Sequence, residues 1–149
     1  LEGATELTRR INTDMTYDTG ATTVTTTPPM SFALRRGVCQ DFAHIMISGL
    51  RGIGLPAAYV SGYLRTTRPP GAARLQGADA MHAWVMVWCG AEIGWVGFDP
   101  TNDMIASDEH IVLAIGRDYS DVAPMDGVIV AAGGQHIDVS VNVSPVPAV

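Results

Sequence analysis

Phe42, Ile45, Met46, Gly49, Leu50 and Ile53 recur at i, i+3 and i+4, the spacing that aligns residues along one buried stripe of a helix. Gly52 and Gly54 close the pattern and Pro56 forbids its continuation. The helix is predicted to begin at about Cys39, just after Gly37. Upstream, Ala4 to Asp14 predicts a short helix with Leu7 and Ile11 on one face. Between the two helices, "TGATTVTTTPP" reads as a loop or irregular strand, because Gly20 and the Pro28-Pro29 pair break helical order. Past Pro56 the chain reads as strands. "AAYVSGYL" (57–64) is β-rich, and "MHAWVMVW" (81–88) alternates. That alternation sets His82, Trp84, Met86 and Trp88 on one face and Ala83, Val85 and Val87 on the other. "GWVGFDP" follows through the turn "CGAEIG", and "DVSVNVS" alternates Val139, Val141 and Val143. A helix followed by antiparallel strands, without βαβ repetition, is an α+β fold.

The 149 residues fit a single domain over 1–149, and with 47% hydrophobic and 16% charged residues they suit a packed core rather than disorder. A net charge of -6 argues against nucleic acid and anionic membrane surfaces, which call for basic patches. No apolar run reaches the roughly 18 to 20 residues of a membrane span. The sequence opens on "LEGATELTRR", without an initiator Met or a signal-like segment, so it reads as a fragment or processed product, and its localisation is not read from it. Two cysteines without a CxxC pair favour free thiols in a reducing compartment such as the cytoplasm over a disulfide-stapled domain.

One thiol occupies a special place. Cysteine reacts as its thiolate, and a helix N-terminus favours negative charge through unsatisfied N–H groups and the macrodipole. The same N–H groups can hold the oxyanion of a tetrahedral intermediate. Cys39 stands at that position, so a base is the next requirement. His44 lies five residues on, about 140° around the helix by its 3.6-residue turn, and points elsewhere. His110 and His136 lie in polar, loop-like surroundings and read as exposed. His82 opens the strongest strand, and the neighbouring strand ends at Asp99. A tight turn between them sets residues near 82 beside residues near 99, where an aspartate can fix the tautomer of a base histidine. A zinc site built from Cys39, His82 and Asp99 is a competing use of the same side chains, but it lacks a close ligand pair. Cys89, in its turn, reads as structural, and Trp84, Trp88 and Trp95 read as core. The Gly/Pro/Arg-rich loop from Arg65 to Ala80 is long enough for a functional, cleft-lining segment.

The blocks "RRGVCQDFAHIMISGLRGIGLPAAYVSGYL", "GADAMHAWVMVWCGAEIGWVGFDPTND" and "HIVLAIGRDYSDVAPMDGVI" together resemble the transglutaminase-like superfamily, within it the bacterial branch described as cysteine proteases. The resemblance runs from about residue 4 to 145. It implies a papain-like core, with the nucleophile heading a helix packed on an antiparallel sheet; members often carry a β-rich segment upstream of that core, which this sequence is expected to lack. It makes Cys39 of "GVCQDFAH" the nucleophile, His82 of "HAWV" the base and Asp99 of "FDPTN" the orienter. Tyr17 of "MTYDTG" is the candidate side chain for the oxyanion, against the alternative of a packed aromatic. The implied activity is thiol-dependent acyl transfer on amide bonds of a protein or peptide substrate, with water or an amine as acceptor. No cofactor is expected, since no Ca²⁺ loop of alternating Asp/Asn with a closing Glu is visible. The alternative reading is a non-catalytic module of the same fold that binds proteins or peptides.

Overall fold

The apolar stripe folds as expected. In the computed structural model, which describes residues 1–66, 70–78, 80–124, 130, 132–134, 140–144 and 146, a helix runs from Cys39 to Gly52 and buries Phe42, Ala43, Met46, Ile47 and Leu50. We call it α3. It follows α1 (Glu2–Asp14) and α2 (Pro28–Leu34). The strands are β1 (Thr16–Tyr17), β2 (Arg36–Gly37), β3 (Ala57–Leu64), β4 (His82–Trp88), β5 (Trp95–Asp99), β6 (Met104–Ile105) and β7 (His110–Gly116), and a 3₁₀ turn covers Tyr119–Asp121.

β3 to β7 form one antiparallel sheet in the order β6-β5-β4-β3-β7. α3 packs on one of its faces. Its buried residues share a core with Ala57, Tyr59, Ala83, Val85, Val87 and Phe98, joined by Ile11 and Met15 from the first helical segment. Val60, Leu64 and Trp84, buried but outside that cluster, belong to the opposite face by the two-residue alternation of a strand. The fold is α+β, as the periodicities predict.

α3 owes its sharp start to Asp41, whose Oδ2 accepts the Val38 N–H at 2.8 Å and the Thr22 hydroxyl at 2.6 Å. This is half of a capping box, because the N-cap Val38 has no side-chain acceptor to return the bond. The approach is so close that a methyl group on Gly37 would collide with the Asp41 carboxylate. β1 and β2 pair in parallel, bringing Tyr17 level with Gly37, two residues before the thiol.

Three readings of the sequence need correction. Pro28 and Pro29 start a helix instead of only breaking order, since proline is pre-organised for the first turn, where its missing N–H costs nothing. The stretch from His110 is a strand, β7, paired with β3. The strand expected around "DVSVNVS" lies partly outside the described residues. Val141 and Val143 are not in a strand, although Val143 exchanges hydrogen bonds with Thr66.

Gly62 is the tightest point of the sheet. It faces His82 on one side and Val112 on the other, beside a register shift in β3. A Cβ there would sit 2.6 Å from the Trp84 ring and strike the Ile111 carbonyl. We expect Gly62→Ala to destabilise the domain by at least about 1–3 kcal/mol, the usual cost of overpacking, read as a lower urea midpoint with unchanged m-value. A midpoint equal to that of the parent would contradict this packing.

Candidate active site

The sheet gathers residues that are far apart in sequence. β3 serves as a ruler. Gly62 is opposite His82 on β4, and Leu64 is opposite His110 on β7, so both imidazoles come to the same end of the sheet. Asp99 arrives from the last position of β5. Val85 pairs with Phe98, so Asp99 lies level with Trp84 and diagonal to His82. The turn spans residues 89–94 as read from the sequence and sets Asp99 two residues from His82, where diagonal neighbours remain within reach of each other.

Asp99 is fully buried, and its carboxylate accepts five hydrogen bonds. Oδ1 takes the backbone N–H groups of Thr101 (2.9 Å) and Asn102 (3.2 Å). Oδ2 takes His82 Nε2 (2.9 Å), His110 Nε2 (3.2 Å) and Asn102 Nδ2 (2.7 Å). Burial alone would push its pKa up. The bonds from His110, His82 and Asn102, with the charge of His82, overcome that and hold it well below the ordinary carboxylate range.

His82 shows the complementary effect. Burial works against its charged form, but the Asp99 bond and charge, assisted by Cys39, raise its pKa to about 10. The net effect favours the charged form of the ring. Its Nε2 is committed to Asp99, while the buried Nδ1 has no hydrogen-bond partner. The Cys39 thiol is close enough to this imidazole to raise the ring's pKa by hydrogen bonding and by charge, although Nδ1 has no partner in full hydrogen-bond geometry. The thiol is buried, at the first position of α3. Cys39 and Cys89 are both free thiols.

His110 was expected to be exposed and is buried instead, edge-on to Trp84 with ring centroids 5.0 Å apart. Its Nδ1 accepts the Ser107 N–H at 3.3 Å, so the proton it presents to Asp99 is on Nε2. Trp84 also stacks on His82, at 6.1 Å. His82, Asp99 and His110 offer donor atoms within 4.8 Å of one another, a set that can hold a metal ion. The sequence had suggested Cys39 in place of His110. As built, protons bridge these groups, and a cation would have to displace them.

The remaining candidates separate. His44 is half-buried and accepts the Tyr119 N–H at 3.2 Å, and burial lowers its pKa. Cys89 donates to the Val87 carbonyl at 3.6 Å. Trp84 is core, but Trp88 and Trp95 form a cross-strand pair at 37% and 47% exposure. Tyr17 packs edge-on to Phe42 and also lines a cleft of about 320 Å³ with Thr19, Arg74, Leu75, Gln76, Gly77 and Ala80. Gly77 closes this cleft onto the site, since a Cβ at that position would lie 2.6 Å from His82 Nδ1. His136 lies outside the described residues.

The model of the transglutaminase-like superfamily matches residues 1–100. The chain belongs to this superfamily. A Mycobacterium tuberculosis protein described as uncharacterized is 49% identical over 144 residues, covering 94% of this chain and 46% of its own length. The chain therefore spans about half the length of the curated relatives it matches. A protein-glutamine gamma-glutamyltransferase of Pseudomonas aeruginosa is 39% identical over 71 residues, 47% of this chain and 10% of that protein. Among solved structures of similar fold, a Cytophaga hutchinsonii protein described as a "putative cysteine protease" aligns with TM-score 0.67 and 30% identity over 80% of this chain and 37% of that one. Calcium-bound LapG of Legionella pneumophila shares the fold alone, with TM-score 0.56 and 15% identity over 76% of this chain and 64% of its own. These likenesses agree with a superfamily core of helix and antiparallel sheet. Among the described residues, no helix is long and apolar enough to cross a membrane.

The charged pair has a stability consequence. His82 is raised above its ordinary 6.5, so its contribution is complete below that pH and is lost as pH climbs toward about 10. Asp99 is depressed below 3.8, so its contribution is complete above that value and is lost on acidification. We expect the thermal midpoint to be highest between about pH 3.8 and 6.5 and to decline above it. His82→Ala should be less stable throughout, with a shallower alkaline decline. Circular dichroism melts across pH test this, and a wild-type midpoint that stays flat from pH 6.5 to 10 would contradict it.

Proposed function

We propose that this domain carries out thiol-dependent acyl transfer on amide bonds, with Cys39 as nucleophile, His82 as its acid–base partner and Asp99 as the orienter. The observation that carries the proposal is the geometry of His82. Nε2 is held by a buried carboxylate at 2.9 Å, and the opposite nitrogen is left without a partner on a ring that Cys39 influences. An imidazole fixed at one nitrogen and available at the other is what a base needs. The superfamily match and the Cytophaga hutchinsonii neighbour support the same class.

The Cys39 thiolate attacks the amide carbonyl carbon, a C–S bond forms, and the carbonyl electrons move to oxygen. Backbone N–H groups at the start of α3 stabilise that oxyanion. Tyr17, on the cleft wall beside Gly37, is the side-chain donor we assign to it. The C–N bond then breaks as His82 gives its proton to the leaving amine, which leaves a thioester. Water or an amine then attacks the thioester carbon as His82 takes its proton, and the C–S bond breaks to release the acyl product and restore the Cys39 thiolate. Hydrolysis is our reading of that second step, and a protein or peptide is the substrate.

Iodoacetamide labelling across pH tests the nucleophile. Cys39 should alkylate faster than Cys89 at neutral pH, and His82→Ala should remove that advantage. Equal, slow labelling of both thiols at neutral pH would instead favour the non-catalytic binding module. On a cleaved peptide, His82→Ala should lower kcat by about 10²–10⁴-fold. Tyr17→Phe should lower it by about 10²–10³-fold, the usual cost of one oxyanion donor, with the alkylation profile unchanged. A Tyr17→Phe enzyme of wild-type kcat would return Tyr17 to a packing role. Glutamine-bearing peptides with a labelled amine decide the acceptor, since incorporation without cleavage would reverse our reading of hydrolysis.

A further inference from the structure

Asn102 does something that a turn residue need not do. Its backbone N–H already completes the turn after Asp99, through Oδ1 at 3.2 Å. Its side chain reaches a segment 26 residues away. Oδ1 accepts the Gln76 N–H at 2.8 Å, and Nδ2 donates to the Gln76 carbonyl at 3.3 Å and to Asp99 Oδ2 at 2.7 Å. The two Nδ2 protons and the oxygen are all engaged. Exchanging oxygen and nitrogen would turn an acceptor toward the Asp99 anion and a donor toward an N–H, so the network admits one orientation.

Holding both the N–H and the C=O of Gln76 is what a neighbouring strand would do. Here one side chain does it for a loop without regular structure. The next residue, Gly77, has φ +80° and lies against His82 Nδ1. Leu75, Gln76 and Gly77 are cleft wall. Ordering a long Gly/Pro-rich loop costs about 1–2 kcal/mol of backbone entropy per fixed residue, and a second anchor comes from Thr66, whose hydroxyl donates to the Ala78 carbonyl at 3.3 Å.

We infer that Asn102 is a positioning residue that clamps the cleft wall at residues 75–77 to the buried carboxylate of Asp99, so that the fit of a substrate in the cleft is set by one side chain. The inference rests on the acyl-transfer reading of the site. Asp99 keeps four of its five bonds when Asn102 is truncated to alanine, so the ion pair persists and the wall is what loosens.

Two thiol probes of different size separate these effects in the full chain. Iodoacetamide is small and reports on the sulfur alone. A glutamine-containing peptidyl chloromethyl ketone must also occupy the cleft before the thiolate displaces chloride and forms the C–S bond. In Asn102→Ala, iodoacetamide rates should stay within about twofold of wild type at every pH. The apparent KI of the peptidyl probe should rise at least tenfold, with kinact within about threefold. Hydrogen exchange at the Gln76 amide should quicken at least tenfold. Unchanged peptidyl labelling would overturn the inference, and so would an equal loss with both probes, which would place the effect of Asn102 on the ion pair or the whole fold.

A wild type in which iodoacetamide labels Cys39 no faster than Cys89 fails the acyl-transfer reading. The clamp is then decided by exchange at Gln76, with an unaltered rate in Asn102→Ala overturning it. If Asn102→Ala does not fold, the wild-type amide decides. Protection at Gln76 comparable to that of Phe98 in β5 supports the clamp, and exchange at the rate of an exposed loop overturns it.

Discussion

A carboxylate with no solvent exposure is the demand around which this end of the domain is organised. An isolated buried anion costs many kcal/mol and would protonate to escape it. Asp99 avoids this by collecting five donors from three places: the turn that follows it, the first residue of β4 and the first residue of β7. Displacing any one of these elements takes a donor away from the charge. The pairing of β4 and β7 on either side of β3 therefore has an electrostatic reason as well as an apolar one.

The sheet meets this demand by dividing its faces. Ala83, Val85 and Val87 pack with α3 and supply the main core. On the other face, Trp84 stacks on His82 and meets His110 edge-on. The indole is a rigid apolar wall that excludes water from both imidazoles, which strengthens their bonds to Asp99 in a low-dielectric setting. Gly62 makes room for that wall, because any side chain there would meet the ring.

What was legible in the sequence was local. α3 followed from the apolar stripe at 42–53 and its Gly/Pro stop, β3 and β4 from alternation, and the position of Cys39 from the helix start. The nearness of His82 and Asp99 followed from the turn at 89–94, which pairs Trp88 with Trp95 and so sets Asp99 level with Trp84, two residues from His82. His110 and Asn102 were not legible, for a different reason. His110 reaches Asp99 through the pairing of β7 with β3, a long-range contact across a register shift that composition does not record. Its polar neighbours Asp108 and Glu109 suggested a loop. Asn102 stood in plain view within "FDPTN", but a turn after a proline explains an asparagine by itself. Only the fold reveals that its amide is used elsewhere. The start of α2 was misread because a Pro pair is a stop signal inside a helix and a start signal at its head.

The order of the elements along the chain also bears on how the protein is born. Cys39, His82 and Asp99 all leave the ribosome before His110, and domains assemble from the N-terminus as they emerge. A nascent chain that ends at the β5 strand holds its aspartate with four of its five donors missing, those of Thr101, Asn102 and His110, and with the β3 edge still uncovered. The last long strand to be synthesised among the described residues is thus the one that seals the charge, and the reactive end of the molecule matures only after its scaffold is nearly complete.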